Sequence, residues 1–298
     1  MENNIEKRNL NIFAKNARIV AVFAVAMGAT SGILGKAITA SSMAIGFYRL
    51  TFALPFFAIP VLLHERETLK SLTLKQIAGC AVAGIFLFCH FFCWFNAVKM
   101  TKIASAVVLQ SLHPLVVLVV TLIFFKSHVK GKAVLGICIA LAGAALMAGL
   151  DYSAAGGSFA GDIFAIFTGV FYGLYFCVGN VMRKNIPAGV YVFMVFSFCW
   201  VCFTLGMIFS GTPFTGYPAA DYLWLLVMAM ACQIGAHAVF NWVLGYVTPL
   251  FLSTWGNAEI VISTLLALVF FGEIPTLLQV AGGAITIAGL LIYNFNEN

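Results

Sequence analysis

Long apolar runs separated by short polar breaks fill the chain, and the length of the runs decides what they are. A helix that crosses a bilayer needs about 20 mostly apolar residues. Runs of that kind occupy residues 18–38, 42–63, 76–98, 103–125, 131–150, 160–182, 188–210, 222–244, 250–271 and 275–294. The pattern predicts an all-α integral membrane protein of ten transmembrane helices joined by short connections. The long polar stretches are residues 1–17 and 64–75, which leave no room for a soluble domain. Catalysis in an aqueous domain is therefore not expected. Composition agrees: 62% of residues are hydrophobic and 9% charged, against roughly 45–50% and 25% in soluble domains.

Charge adds an orientation. Lys and Arg in short loops favour the cytoplasmic side, and ten spans put both termini and the even-numbered connections on one face. That face holds Lys7, Arg8, Lys15, Arg18, Arg66, Lys70, Lys75, Lys126, Lys130, Lys132, Arg183 and Lys184, twelve of the sixteen cationic residues. The opposite face has Lys99 and Lys102, with Asp151, Asp162, Asp221 and Glu273. Both termini are expected in the cytoplasm of a cell with a bacterial-type cytoplasmic membrane. The net charge of +6 then reads as a topology signal helped by anionic lipid, with no nucleic-acid partner. The first run is longer than a signal-peptide core and is read as retained. All eight cysteines fall inside spans, where they behave as small apolar residues, so a disulfide framework is not expected.

The chain repeats itself. A shift of 146 residues lays Leu122, Phe124, Phe125, Gly136, Ile139, Ala142 and Gly143 on Leu268, Phe270, Phe271, Gly282, Ile285, Ala288 and Gly289. A shift of 145 lays Phe95, Asn96 and Val98 on Phe240, Asn241 and Val243. Five spans per half is an odd number, so the halves enter the membrane from opposite sides, an arrangement that recurs in secondary transporters with a mid-membrane substrate site. The expected units are a cytoplasmic segment 1–17, a first five-helix repeat 18–150 and a second 160–294.

Residues 95–147 ("FNAVKMTKIASAVVLQSLHPLVV…"), the stretch "NAEIVISTLLALVFFGEIPTLLQVAGGAITIAGLLI", "GFYRLTFA" from Gly46 to Ala53 and "GDIFAIFTGVFYGLY" from Gly161 to Tyr175 resemble the EamA branch of the drug/metabolite transporter superfamily. The resemblance covers essentially the whole chain. It implies two inverted five-helix halves around a central cavity and, usually, export of amino acids or related metabolites by alternating access. The family often has an acidic residue followed by proline where Glu259 and Ile260 stand, and the first half has His113 and Pro114.

Polar groups within spans carry the functional expectation, because an ionisable side chain at mid-span is costly and usually faces protein or a cavity. Glu259 lies mid-way along the ninth run with His113 at the equivalent point of the fourth, beside Gln110. It reads as a substrate-ammonium or proton-coupling carboxylate, or else as a structural carboxyl. Gln233, His237 and Asn241 recur every four residues on the eighth run, forming one helical stripe. That stripe lines a cavity or hydrogen-bonds a neighbouring helix. His90 and Trp94 make a similar pair on the third run. Trp242, Trp255, Tyr48, Tyr172 and Tyr175 are further candidates, since a ring beside a carboxylate suits an organic cation or an amino acid. Arg49 reads as a gate or structural tie. Gly28 with Gly32, and Gly169 with Gly173, form GxxxG pairs that pack helices closely or flex. Gly136, Gly143, Gly282 and Gly289 suggest a helix pair away from the cavity, and a dimer face. Cys89, His90 and Cys93 lack the second cluster a zinc site needs, so neither metal nor cofactor is expected.

The expected function is secondary transport of a small polar metabolite across the membrane, with a transporter of organic cations or amines as the alternative. A channel or sensor is a further alternative. Proton exchange at Glu259 or a histidine and exchange without protons are both open, and the chain is read as a monomer or a homodimer.

Overall fold

The computed structural model describes residues 16–101, 103–149, 158–271 and 276–296. The basic segment with Lys7, Arg8 and Lys15, and also Lys102, Asp151 and Glu273, lie outside the described residues. Among the described residues every regular element is helical. We label them α1 (Asn16–Ala37, interrupted at Ala29 and Thr30), α2 (Ser42–His64), α3 (Leu74–Met100), α4 (Ile103–Gln110 and His113–Ile123) and α5 (Gly131–Gly149). The second half supplies α6 (Phe159–Arg183), α7 (Ala188–Ser210), α8 (Ala219–Val243), α9 (Pro249–Gly256 and Ala258–Phe271) and α10 (Leu277–Asn296). Seven helices, α1, α2, α3, α4, α6, α7 and α8, are long and apolar enough to cross a membrane, while Gly131–Leu146 and Val280–Asn296 are shorter apolar helices. This is fewer than the ten spans the pattern predicts; among the described residues α5, α9 and α10 are not among the seven.

Helix starts follow capping chemistry. Ser41 accepts from the Ala44 backbone N–H, Thr73 and Gln76 form a reciprocal capping box, and Thr248 accepts from the Phe251 N–H with Pro249 in the first turn. These caps satisfy backbone donors that lipid cannot. Phe23, Leu63, Phe159, Phe209 and Leu277 are each 70% exposed or more. Side chains of that kind are stable outside the bundle only where the solvent is lipid.

Each half packs into the other. Helix α5 lies on α10, α2 on α7 and α4 on α9, while α3 packs on both α6 and α7 and α8 packs on both α1 and α2. Exchanging the halves maps this set of pairings onto itself. The α5–α10 seam has no room for side chains: a Cβ on Gly289 would sit 2.3 Å from the Ala140 nitrogen, and one on Gly143 2.5 Å from the Thr286 nitrogen. Those glycines are spent inside the chain, so the dimer face suggested for them is already occupied.

Opposite ends of the bundle are tied differently. At one end the buried Asp221 carboxylate of α8 accepts from the Thr39 hydroxyl (2.7 Å), the Ala40 N–H (2.9 Å) and the Thr39 N–H (3.2 Å), and Lys99 donates to the Ala40 carbonyl. At the other, Asn180 donates to the Leu244 and Val247 carbonyls at 3.0 and 3.3 Å, and Arg183 donates to the Asn241 carbonyl at 2.8 Å.

Candidate functional site

A small cavity of about 30 Å³ lies between these two sets of ties. Ser31 and Gly28 of α1, His90 and Trp94 of α3, and Gln110 of α4 line it from the first half. Tyr172 of α6, His237 of α8 and Glu259 of α9 line it from the second. Its volume suits a water or two rather than a metabolite.

Two interrupted helices bring Gln110 and Glu259 together. In α4 the ring of Pro114 removes the N–H that would bond to the Gln110 carbonyl. The His113 ring supplies the replacement, its Nδ1 lying 3.0 Å from that oxygen. Because a carbonyl only accepts, Nδ1 carries the proton. In α9 the chain leaves the helix at Asn257, whose N–H bonds back three residues to Thr254 at 3.1 Å. Gly256 lets His113 come close, since a Cβ there would lie 2.9 Å from His113 Nε2. The result is an interhelical bond in which Gln110 Nε2 donates to Glu259 Oε2 at 3.4 Å. Glu259 lies in the first turn of the second segment of α9, where a helix N-terminus favours negative charge.

Histidines and aromatic rings form the rest of the wall. His90 Nδ1 lies 3.1 Å from the Thr168 carbonyl of α6, which again places the proton on Nδ1 and leaves Nε2 as an acceptor. The His90 ring stacks on Tyr172 with centroids 4.2 Å apart, and His113 flanks the same tyrosine at 5.2 Å. Trp94 Nε1 donates to Ser31 at 3.1 Å, tying α3 to α1. His237 stands edge-on to Phe91 at 4.7 Å.

Gln110, Glu259, His90, Trp94, Tyr172 and His237 thus share one cavity, with His113 immediately behind it. The other candidates lie elsewhere. Gln233 and Asn241 are fully buried; Asn241 accepts from the Tyr175 hydroxyl at 2.6 Å, a bond between α8 and α6. The change of period explains it: residues Ala229–Ala238 form a π-helix, and the wider turn rotates the stripe as it runs. Trp242 packs on Tyr246 and Trp255 on Phe251. Tyr48 sits at the Asp221 end, donating to the Phe214 carbonyl among Tyr217 and Tyr222. Gly169 and Gly173 do pack closely, since a Cβ on Gly169 would lie 2.6 Å from the Gln110 carbonyl and one on Gly173 3.0 Å from that of His113. Gly28 meets only Ala236, at 3.6 Å. Arg49 is fully buried over the Phe91 ring of α3, 4.0 Å from its centroid. Sequence reasoning missed Ser31 and Phe91 in the wall, and Gly256 and Asn257 as the break. Gly followed by Asn is a recognised helix stop.

The model of the EamA-like transporter family matches residues 16–149 and again 159–295. The chain belongs to that family. The first match ends and the second begins between α5 and α6, so the chain carries the family unit twice. A solved structure described as "Crystal structure of protein" has the same fold, with a TM-score of 0.74 over 95% of this chain and 99% of the other at 18% identity. No curated relative matches the sequence. An EamA membrane transporter is accordingly what this chain is, with lipid around it and a small molecule as cargo.

Proposed function

We propose that the chain is a ten-span secondary transporter built from two inverted five-helix repeats, and that it moves an amino acid or related polar metabolite out of the cell by alternating access. The observation that carries this reading is the cavity itself: polar and aromatic side chains from both repeats converge on Glu259, with a separate set of ties toward either end of the bundle. Opening the Asp221 tie exposes the cavity to one side, and opening the Asn180 and Arg183 ties exposes it to the other. The basic residues around Arg66, Lys126 to Lys132 and Lys184 support a cytoplasmic position for the second set of ties and for both termini, in a bacterial-type cytoplasmic membrane. Glu259 holds the substrate ammonium or exchanges a proton, with His90, His113 and His237 beside it. The second reading, a carrier of organic cations or amines, is favoured by the rings of Trp94 and Tyr172 around that carboxylate.

Counterflow in proteoliposomes, with radiolabelled amino acids outside and unlabelled ones inside, tests the proposal. Glu259→Gln lowers the flux or flattens its dependence on pH. An unchanged flux and pH profile removes Glu259 from the mechanism.

A further inference from the structure

The guanidinium of Arg49 is the most deeply buried charge in the described bundle, at 0% exposure, and its Nε, Nη1 and Nη2 have no hydrogen-bond partner among the described residues. No carboxylate pairs with it there either. Its neighbours are rings, Phe91 at 4.0 Å and Phe95 at 5.6 Å, whose faces compensate a cation only in part. Burying an ion in this way is costly unless it is paired and hydrogen-bonded. Two more buried groups on the adjoining helix α8 share the deficit: Gln233 has neither side-chain atom bonded, and His237 has Nδ1 unbonded. Helix α8 packs on α2, which carries Arg49. A structural arginine recruits acceptors, so a cation kept in the membrane without them is kept for an acceptor that arrives.

We propose that Arg49 is the anion subsite of the transport cavity, binding the carboxylate of a zwitterionic amino acid whose ammonium faces Glu259; this rests on the transport reading above. Phe91 links Arg49 to the cavity. It lines the cavity, and the guanidinium lies over its ring. When the cavity swells to admit a ligand, rotation of that ring makes Arg49 part of its wall. The planar, five-donor guanidinium then meets the carboxylate through paired charge-assisted bonds. An amine without a carboxylate leaves Arg49 buried and unpaired, and it is rejected for that reason.

The test is counterflow by purified protein in liposomes, using L-threonine, L-phenylalanine and L-lysine and their decarboxylated counterparts 1-amino-2-propanol, phenethylamine and cadaverine. At least one amino acid exchanges, and its amine competes roughly 10- to 100-fold more weakly. Arg49→Gln removes that preference and Arg49→Lys restores part of it. An amine that competes as well as its amino acid overturns the assignment, and this arm needs only the wild-type protein should Arg49→Gln not fold. A preference retained in Arg49→Gln also overturns it. Absence of counterflow with every probe defeats the amino-acid transport reading itself.

Discussion

In the first repeat α4 stops at Gln110 and restarts at His113; in the second α9 stops at Gly256 and restarts at Ala258. The positions are equivalent, but the devices differ. Pro114 breaks α4 by deleting a donor, and the His113 ring covers the carbonyl that loses its bond. Helix α9 has Ile260 where a proline would stand, and Gly256 with Asn257 breaks it instead. A proline break is sealed, whereas the Asn257 side chain is fully buried with both Nδ2 and Oδ1 unbonded. The first break is thus a fixed corner. The second is the open one, and it is the one that bears Glu259. Small residues follow the same division, since Gly169 braces the sealed corner through a contact that no larger residue fits, while Gly28 of α1 lies in an ordinary contact.

The largest effect falls on the sealed corner. Gly169→Val drives a side chain into the Gln110 carbonyl, which cannot move aside like a rotamer, and costs about 3 kcal/mol; the thermal midpoint in detergent drops. An unchanged midpoint means that α4 and α6 are not in that contact. His113→Ala leaves the freed carbonyl buried without a donor, a cost of about 2 kcal/mol. Adding Pro114→Ala returns an N–H to that site and recovers about half of it, measured as a thermal-midpoint double-mutant cycle. Additive losses would deny that the ring replaces the missing bond. Gly28→Ala meets only Ala236 at 3.6 Å and stays within about 0.5 kcal/mol of wild type; a large loss would place α1 much closer to α8 than described.

Much of this was legible beforehand because lipid simplifies the code. Apolar run lengths located the helices, and the 146-residue repeat brought His113 and Glu259 to matching positions. The polar groups His90, Gln110 and His237 and the rings Trp94 and Tyr172, singled out within spans, line one cavity. Periodicity failed at Gln233 and Asn241, because a π-helical turn is not written in the spacing of side chains. Tyr48 and Trp242 resembled their neighbours in composition but stand outside the cavity. The full burial of Arg49 was not readable from its place along α2, and neither were its missing acceptors among the described residues. The α9 break was looked for in a proline and lay in Gly256 and Asn257.

The central claim is that one cavity between the repeats opens to each side in turn, and Ser31 reports on it directly. Ser31→Cys is nearly isosteric, lines the cavity beside Trp94 and can be read by mass spectrometry of its own peptide. A membrane-impermeant maleimide applied to right-side-out or inside-out vesicles labels it from both faces, and a transported amino acid slows labelling from each. Labelling from one face only, at a rate the substrate does not alter, would contradict the account.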